Sequence, residues 1–286
     1  MTLAKKNIVF YIALSFFAFT SCNQKEKKNT LFTSLPSSTT HVDFENKPEE
    51  HELFNILYYL YYYNGGGVAI GDINNDGLPD IFVTSNFDDN KLYLNKGNFE
   101  FEDITEKAGL KGKHAWSTGV TFADVNGDGL VDIYVCNSGN RADESTGTKD
   151  DRANELYLNN GNLTFTEKAK EYGLDDRGFG THAAFFDYDK DGDLDMYLLN
   201  HAVHTSISYD RVNVRALDRD ELAGDYLFRN DSPPTPKGGV KTVSLFGGKK
   251  VFTDVSIKAG IYAAPQGYGL GISVGDLNND GWEDIY

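Results

Sequence analysis

The chain has 286 residues, 40% of them apolar and 13% aromatic, which is material for one large core or two ordinary ones. Forty-three acidic side chains against 27 basic ones leave a formal charge of −16. That balance argues against nucleic acid, which needs a basic patch, and suits a cation binder or an acidic soluble surface.

At the N-terminus, Lys5 and Lys6 precede an apolar run from Asn7 to Phe19 that is too short to span a bilayer comfortably. Thr20-Ser21-Cys22 follows, and the arrangement reads as a secretory signal over residues 1–22. A cysteine at the cut site resembles a bacterial lipoprotein signal, with Cys22 as the lipidated residue of an exported protein of the bacterial cell envelope, at the outer membrane. Phe19 stands where that pattern prefers Leu, so an ordinary signal cleaved nearby or a short membrane anchor stays open. Residues 23–41 are polar and read as a flexible tether. The only other cysteine, Cys136, sits in an apolar run and reads as an inert strand thiol.

The aromatic run from Phe54 to Tyr63 reads as a buried strand, or a short helix leading into one, ended by Gly65-Gly66-Gly67. From there to Tyr286 the chain repeats itself. One phrase is an apolar run, an acidic loop and a second apolar run: GVAIGDINNDGLPDIFV, GVTFADVNGDGLVDIYV, AAFFDYDKDGDLDMYL and GISVGDLNNDGWEDIY. The other follows it: LYLNKGNFEFEDITEKAGL from Leu92, LYLNNGNLTFTEKAKEYGL from Leu156, and LFRND from Leu227 resuming as VFTDVSIKAGI. Repeat units fall at about 64–110, 115–174, 178–261 and 266–286. Each complete unit reads as four strands, in the first near Val68 to Gly71, Asp80 to Thr84, Lys91 to Asn95 and Phe99 to Ile104. Lys96-Gly97 signals a hairpin, with Leu92, Leu94, Phe99 and Phe101 sharing a face if the turn is short. The predicted fold is all-β, a β-propeller of four-stranded antiparallel blades, incomplete, with about three full blades and part of a fourth. The chain stops inside the fourth blade and reads as a truncated fragment of a longer protein, with residues 42 to 64 offering at most one further strand. Insertions lengthen the units at Asn137 to Asn154, His201 to Gly224 and Ser232 to Lys250.

Aligned on their first Asp, the acidic loops share one pattern. Position 1 is Asp72, Asp124, Asp187 and Asp276. Position 3 is Asn74, Asn126, Asp189 and Asn278, and position 5 is Asp76, Asp128, Asp191 and Asp280. Position 6 is Gly77, Gly129, Gly192 and Gly281, and position 9 is Asp80, Asp132, Asp195 and Asp284. Oxygen ligands at alternate places in a tight loop converge on a hard cation, and Ca²⁺ accepts six to eight of them. The position 7 carbonyls of Leu78, Leu130, Asp193 and Trp282 complete the predicted set. Mg²⁺ prefers stricter octahedral geometry, and zinc prefers His and Cys, which the loops lack. An EF-hand needs Glu at position 12, where Val83, Val135 and Leu198 stand, and helical flanks. About four structural Ca²⁺ sites are expected, with affinity of roughly 10⁻⁴–10⁻³ M as in extracellular modules. Metal-free acidic turns are the plain alternative, since Asp, Asn and Gly favour turns.

These residues resemble FG-GAP/VCBS repeats, the calcium-bearing blades of integrin α-subunit propellers. YNGGGVAIGDINNDGLPDIFVTSN and LYLNKGNFEFEDITEKAGL look closer still to secreted bacterial proteins of the cartilage-acidic-protein-like group, which typically carry an ASPIC/UnbV domain after the repeats. No such segment is visible here. The resemblance implies a propeller, usually of seven blades, with calcium at the positions named and no defined activity. The function expected is a calcium-stabilised, membrane-anchored envelope module that binds a protein or glycan, with no nucleic-acid partner. A polysaccharide-active enzyme and a purely structural envelope component are the alternatives. No H-E-x-x-H or P-loop motif is present. The candidate acid/base imidazoles are His114 and His182, which read as lying just before strands, and His201 and His204, which read as surface residues of the third-unit insertion.

Overall fold

A computed structural model describes residues 30–50, 52, 55–57, 59–113, 116–138, 152–202, 219–232, 250–263 and 267–286. Residues 1–36 and 37–286 form two compact units. In the first, residues 30–36 are exposed, and the signal region with Cys22 lies outside the described residues. Within the predicted tether, Ser37–Thr40 forms one helical turn. No helix among the described residues is long and apolar enough to cross a membrane.

Among its described residues, the second unit holds three four-stranded antiparallel sheets and one two-stranded sheet, each in sequence order. The first contains β1 (Val68–Gly71), β2 (Asp80–Val83), β3 (Lys91–Asn95) and β4 (Phe101–Asp103). The second contains β5 (Trp116–Ala123), β6 (Asp132–Ser138), β7 (Glu155–Asn159) and β8 (Phe165–Glu167). The third contains β9 (Gly180–Phe186), β10 (Asp195–Asn200), β11 (Tyr226–Asn230) and β12 (Phe252–Asp254). β13 (Val274–Gly275) and β14 (Asp284–Ile285) begin a fourth. Register is the same in every blade: Gly71 faces Asp80, Ala123 faces Asp132, Phe186 faces Asp195 and Gly275 faces Asp284. The four acidic loops are therefore the turns between first and second strands.

Each complete blade ends in a helical turn that the strand reading did not foresee: Thr105–Ala108, Ala169–Tyr172 and Ser256–Ala259. Gly109, Gly173 and Gly260 stop these turns in the left-handed conformation. Two of them are sewn to the sheet by a hydroxyl. Thr105 Oγ1 accepts the Leu92 N–H at 2.9 Å, and Ser256 Oγ accepts that of Leu227 at 2.9 Å.

The core lies between blades. Phe82, Leu92 and Leu94 of the first sheet pack with Val120, Ile133 and Val135 of the second. Tyr134, Cys136 and Leu156 then pack with Met196, Leu198 and Phe228 of the third. Cys136 is a free buried thiol, and burial pushes its pKa up, consistent with an inert strand position. First strands meet one another, β1 on β5 and β5 on β9. Thr118 Oγ1 donates to Gly180 O at 2.6 Å, and Thr121 Oγ1 to Ala183 O at 2.6 Å. This approach needs glycine at Gly119, where a Cβ would stand 2.4 Å from Thr181 O and 2.5 Å from His182 Nδ1.

Several expectations are corrected. The described residues of the aromatic run form turns, with Tyr59 N–H bonded to Asn55 O and Tyr62 N–H to Tyr59 O. No described residue of 42–64 is in a strand. Their rings instead form a separate cluster, in which Tyr59 and Tyr62 pack on Trp116. Phe99 does not share the face of Leu92 and Leu94. It is 67% exposed, because Gly97, Asn98 and Phe99 all take positive φ in the turn. Asn137 and Ser138, assigned to an insertion, are buried residues of β6. Residues 139–151, 203–218 and 233–249 of the insertions, with His114 and His204, lie outside the described residues.

Two stability predictions follow from these contacts. Gly119→Ala should cost about 1–3 kcal/mol by urea unfolding. Gly271→Ala, whose Cβ meets nothing within 4 Å, should change stability by less than about 1 kcal/mol. The second concerns Asp176, whose Oδ1 accepts the Gly178 N–H at 2.9 Å. Burial raises its pKa to about 6. A carboxyl raised in the folded state stabilises fully below its unfolded pKa of about 3.9 and loses that contribution as pH rises through about 6. Asp176→Asn should therefore gain about 2–3 kcal/mol relative to the parent between about pH 4 and pH 7, read as the pH dependence of the difference in unfolding free energy.

Candidate metal centres

The loops are organised by their own carboxylates. In the first, Asp72 accepts the N–H of Asp76 at 3.1 Å and of Gly77 at 2.7 Å. Asp76 Oδ1 accepts the Leu78 N–H at 2.8 Å. The same three bonds recur on Asp124 and Asp128, on Asp187 and Asp191, and on Asp276 and Asp280. The Gly77, Asp76, Asn74 and Asn75 N–H groups together outweigh desolvation and lower the pKa of Asp72. The position 6 glycines Gly77, Gly129, Gly192 and Gly281 have φ of 86°, 86°, 96° and 85°, as the loop pattern requires.

Position 9 is the buried end of the loop. Asp80, Asp132 and Asp195 are fully buried. Asp80 Oδ2 accepts the Ile73 N–H at 3.0 Å, and its Oδ1 accepts the Asn95 N–H at 2.8 Å. Asp132 holds Val125 and Asn159 in the same way, and Asp195 holds Tyr188 and Asn230. Asp284 takes the Leu277 N–H at 2.9 Å. Burial raises the pKa of Asp80, and those of Asp132 and Asp195 to about 7, against the pull of these N–H donors.

The third loop is richest in acid. Asp187, Asp189 and Asp195 each bring a carboxylate oxygen within 4.8 Å of the other two, a grouping that can hold a metal ion. Asn74 and Asn126 donate their Nδ2 to the position 5 carboxylate, each at 2.9 Å. Asp189 has no such proton to give, and its Oδ1 is shielded from solvent with no hydrogen-bond partner. A shielded carboxylate oxygen of that kind fits a hard cation.

Residues 72–135 and 142–198 match the FG-GAP-like repeat family. Those two stretches are similar to FG-GAP-like repeats. A 76-residue stretch, 27% of this chain, is 40% identical to cartilage acidic protein 1 of Xenopus tropicalis and of Mus musculus. It is 38% identical to cartilage acidic protein 1 of Homo sapiens. The match spans 12% of the length of each of these relatives.

Two features of the repeated loops escaped the loop pattern. Position 4 is left-handed in all four loops, with φ of 59° at Asn75, 70° at Gly127, 61° at Lys190 and 58° at Asn279. It also reaches the next loop: Asn75 Nδ2 donates to Gly129 O at 3.3 Å, and Lys190 Nζ donates to Gly281 O. The Lys190 Nζ lies 4.0 Å from the centroid of the Trp282 ring. The second feature is the asparagine closing the L-Y-L-N phrase. Asn95, Asn159 and Asn230 donate Nδ2 to the carbonyls of Pro79, Val131 and Leu194, just ahead of the position 9 aspartates. The recurrence of Asn in that phrase was the available signal.

The two kinds of aspartate should separate experimentally. Asp132→Ala strands two N–H groups and should cost about 2–4 kcal/mol even in chelator. Asp128→Ala should change stability little in chelator and reduce the increment that calcium adds. Thermal unfolding of both variants, with and without calcium, checks this.

Proposed function

We propose that the chain is a calcium-stabilised interaction module, exported and tethered to the cell envelope through Cys22, whose blades present loops to a protein or glycan ligand. FG-GAP repeats suggest an interaction module. The observations that carry the calcium reading are the convergence of the Asp187, Asp189 and Asp195 carboxylates and the unpartnered Asp189 Oδ1. In each loop the side-chain oxygens of positions 1, 3, 5 and 9 and the carbonyl of position 7 would hold the ion. Bound calcium supplies positive charge that offsets repulsion among the loop carboxylates. The residues' part is structural: they fix the turn between first and second strands.

The reading includes no catalysis. His201, expected at the surface, is 1% exposed, and burial lowers its pKa to about 3. His182, expected just before a strand, lies inside β9, and burial lowers its pKa as well. Burial thus favours the neutral form of both imidazoles.

Calcium at about ten times its Kd should add about 1.4 kcal/mol per site. The melting temperature should rise in millimolar calcium, fall in chelator and respond less to magnesium. An unchanged melting temperature would overturn the proposal.

A further inference from the structure

Lys190 is the only basic residue between position 1 and position 9 of the four acidic loops. It stands at position 4 of the third loop, between Asp189 and Asp191. That loop also carries Asp187, Asp193 and Asp195. The Lys190 ammonium nevertheless reaches past its own loop to the fourth. Its Nζ donates to Gly281 O and lies 4.0 Å from the centroid of the Trp282 ring. A Cβ placed on Gly281 would stand 3.7 Å from the same nitrogen. Gly281 and Trp282 are positions 6 and 7 of a loop whose acids are Asp276, Asp280, Glu283 and Asp284.

Position 4 is filled differently in the two preceding loops. Asn75 sends a neutral amide to Gly129 O at 3.3 Å, so the second loop receives a hydrogen bond and no charge. Gly127 has no side chain, so the third loop receives nothing from that position. The fourth loop receives an ammonium. A positive charge beside a carboxylate-rich turn offsets repulsion among the carboxylates when no ion is bound. The same charge repels an incoming divalent ion, and a trivalent ion more strongly. The hydrogen bond to Gly281 and the indole of Trp282 keep it in place. Lys190 is exposed, so solvent and salt limit the effect to a modest factor in affinity.

We propose that Lys190 is a tethered counter-charge for the fourth loop and lowers that loop's affinity for calcium. The proposal rests on the calcium reading of the loops and assigns a residue, outside the ligand set, that tunes one of the sites.

Trp282 puts an indole in the fourth loop, and the chain's other indole, Trp116, lies in the aromatic cluster against Tyr59 and Tyr62. Terbium accepts the oxygen ligands that suit calcium and luminesces when a nearby indole is excited. The part of that luminescence lost in Trp282→Phe belongs to the fourth loop. The parent and Lys190→Gln are titrated with terbium at low salt, and calcium is then added to displace it. Lys190→Gln removes the charge and keeps a donor for Gly281 O. It should bind terbium in the fourth loop about three- to tenfold more tightly than the parent, and calcium more tightly by a smaller factor. The gain should shrink as sodium chloride is raised to about 0.5 M. An affinity equal to or below the parent's overturns the proposal, as does a gain that salt leaves unchanged. A fourth loop that takes up terbium in neither protein overturns it as well. The calcium-dependent rise in melting temperature is read on the same samples. A rise in the parent, with no gain in affinity from Lys190→Gln, overturns the counter-charge alone and leaves the calcium-stabilised module standing.

Discussion

One carboxylate and two backbone N–H groups set the geometry of each complete repeat. The position 9 aspartate takes one N–H from the second residue of its own loop and another from the asparagine that ends the third strand. It joins the turn between the first two strands to the hairpin between the last two. Because the carboxylate is fully buried, leaving either N–H without it would cost a desolvated donor. Its burial also raises its pKa, so the same group that orders the loop is an expensive place for negative charge. A cation beside it would favour the charged form and strengthen the same arrangement.

Blade association rests on a different device. Consecutive sheets bury side chains such as Phe82, Leu92, Ile133 and Tyr157 against one another, so the interior is a series of sheet-to-sheet layers. At the inner edge, the threonine hydroxyls of β5 donate to carbonyls of β9 across a gap that admits no Cβ at Gly119. At the loop end, Asn75 and Lys190 reach the glycine carbonyl of the following loop. Asn159 Nδ2 also donates to Ile73 O of the preceding loop at 2.8 Å. The candidate cation sites are thereby tied to blade packing as well as to their own turns.

Much of this was legible because it is local. Alternate oxygen-bearing residues and a glycine at position 6 prescribe a turn whose φ values came out between 85° and 96°. The four-strand blade was legible from two recurring phrases, and the strand starts at Val68, Asp80 and Lys91 agree with them. Phe99 was misplaced because alternation ignores three successive positive-φ residues, which carry the chain to Phe101 before pairing resumes with Asn95. Propensity reads the aromatic run as a strand, or a short helix leading into one. Its rings found partners far along the chain, with Tyr59 on Trp116 and Tyr61 on His201, and the backbone settled into turns. His201 looked like a residue of a surface insertion. Its N–H donates to Phe179 O, and its ring is covered by Tyr61 and Phe179.

The sequence by itself determined the repeat, the antiparallel blade and the oxygen-lined turns, because each depends on spacing within a few tens of residues. Only the tertiary structure decided that position 9 joins loop to hairpin, that His201 is buried, and that Gly67, Gly119, His182 and Gly271 meet around one cavity. Those outcomes depend on contacts between blades, and spacing within one repeat carries no record of which atoms its neighbour brings.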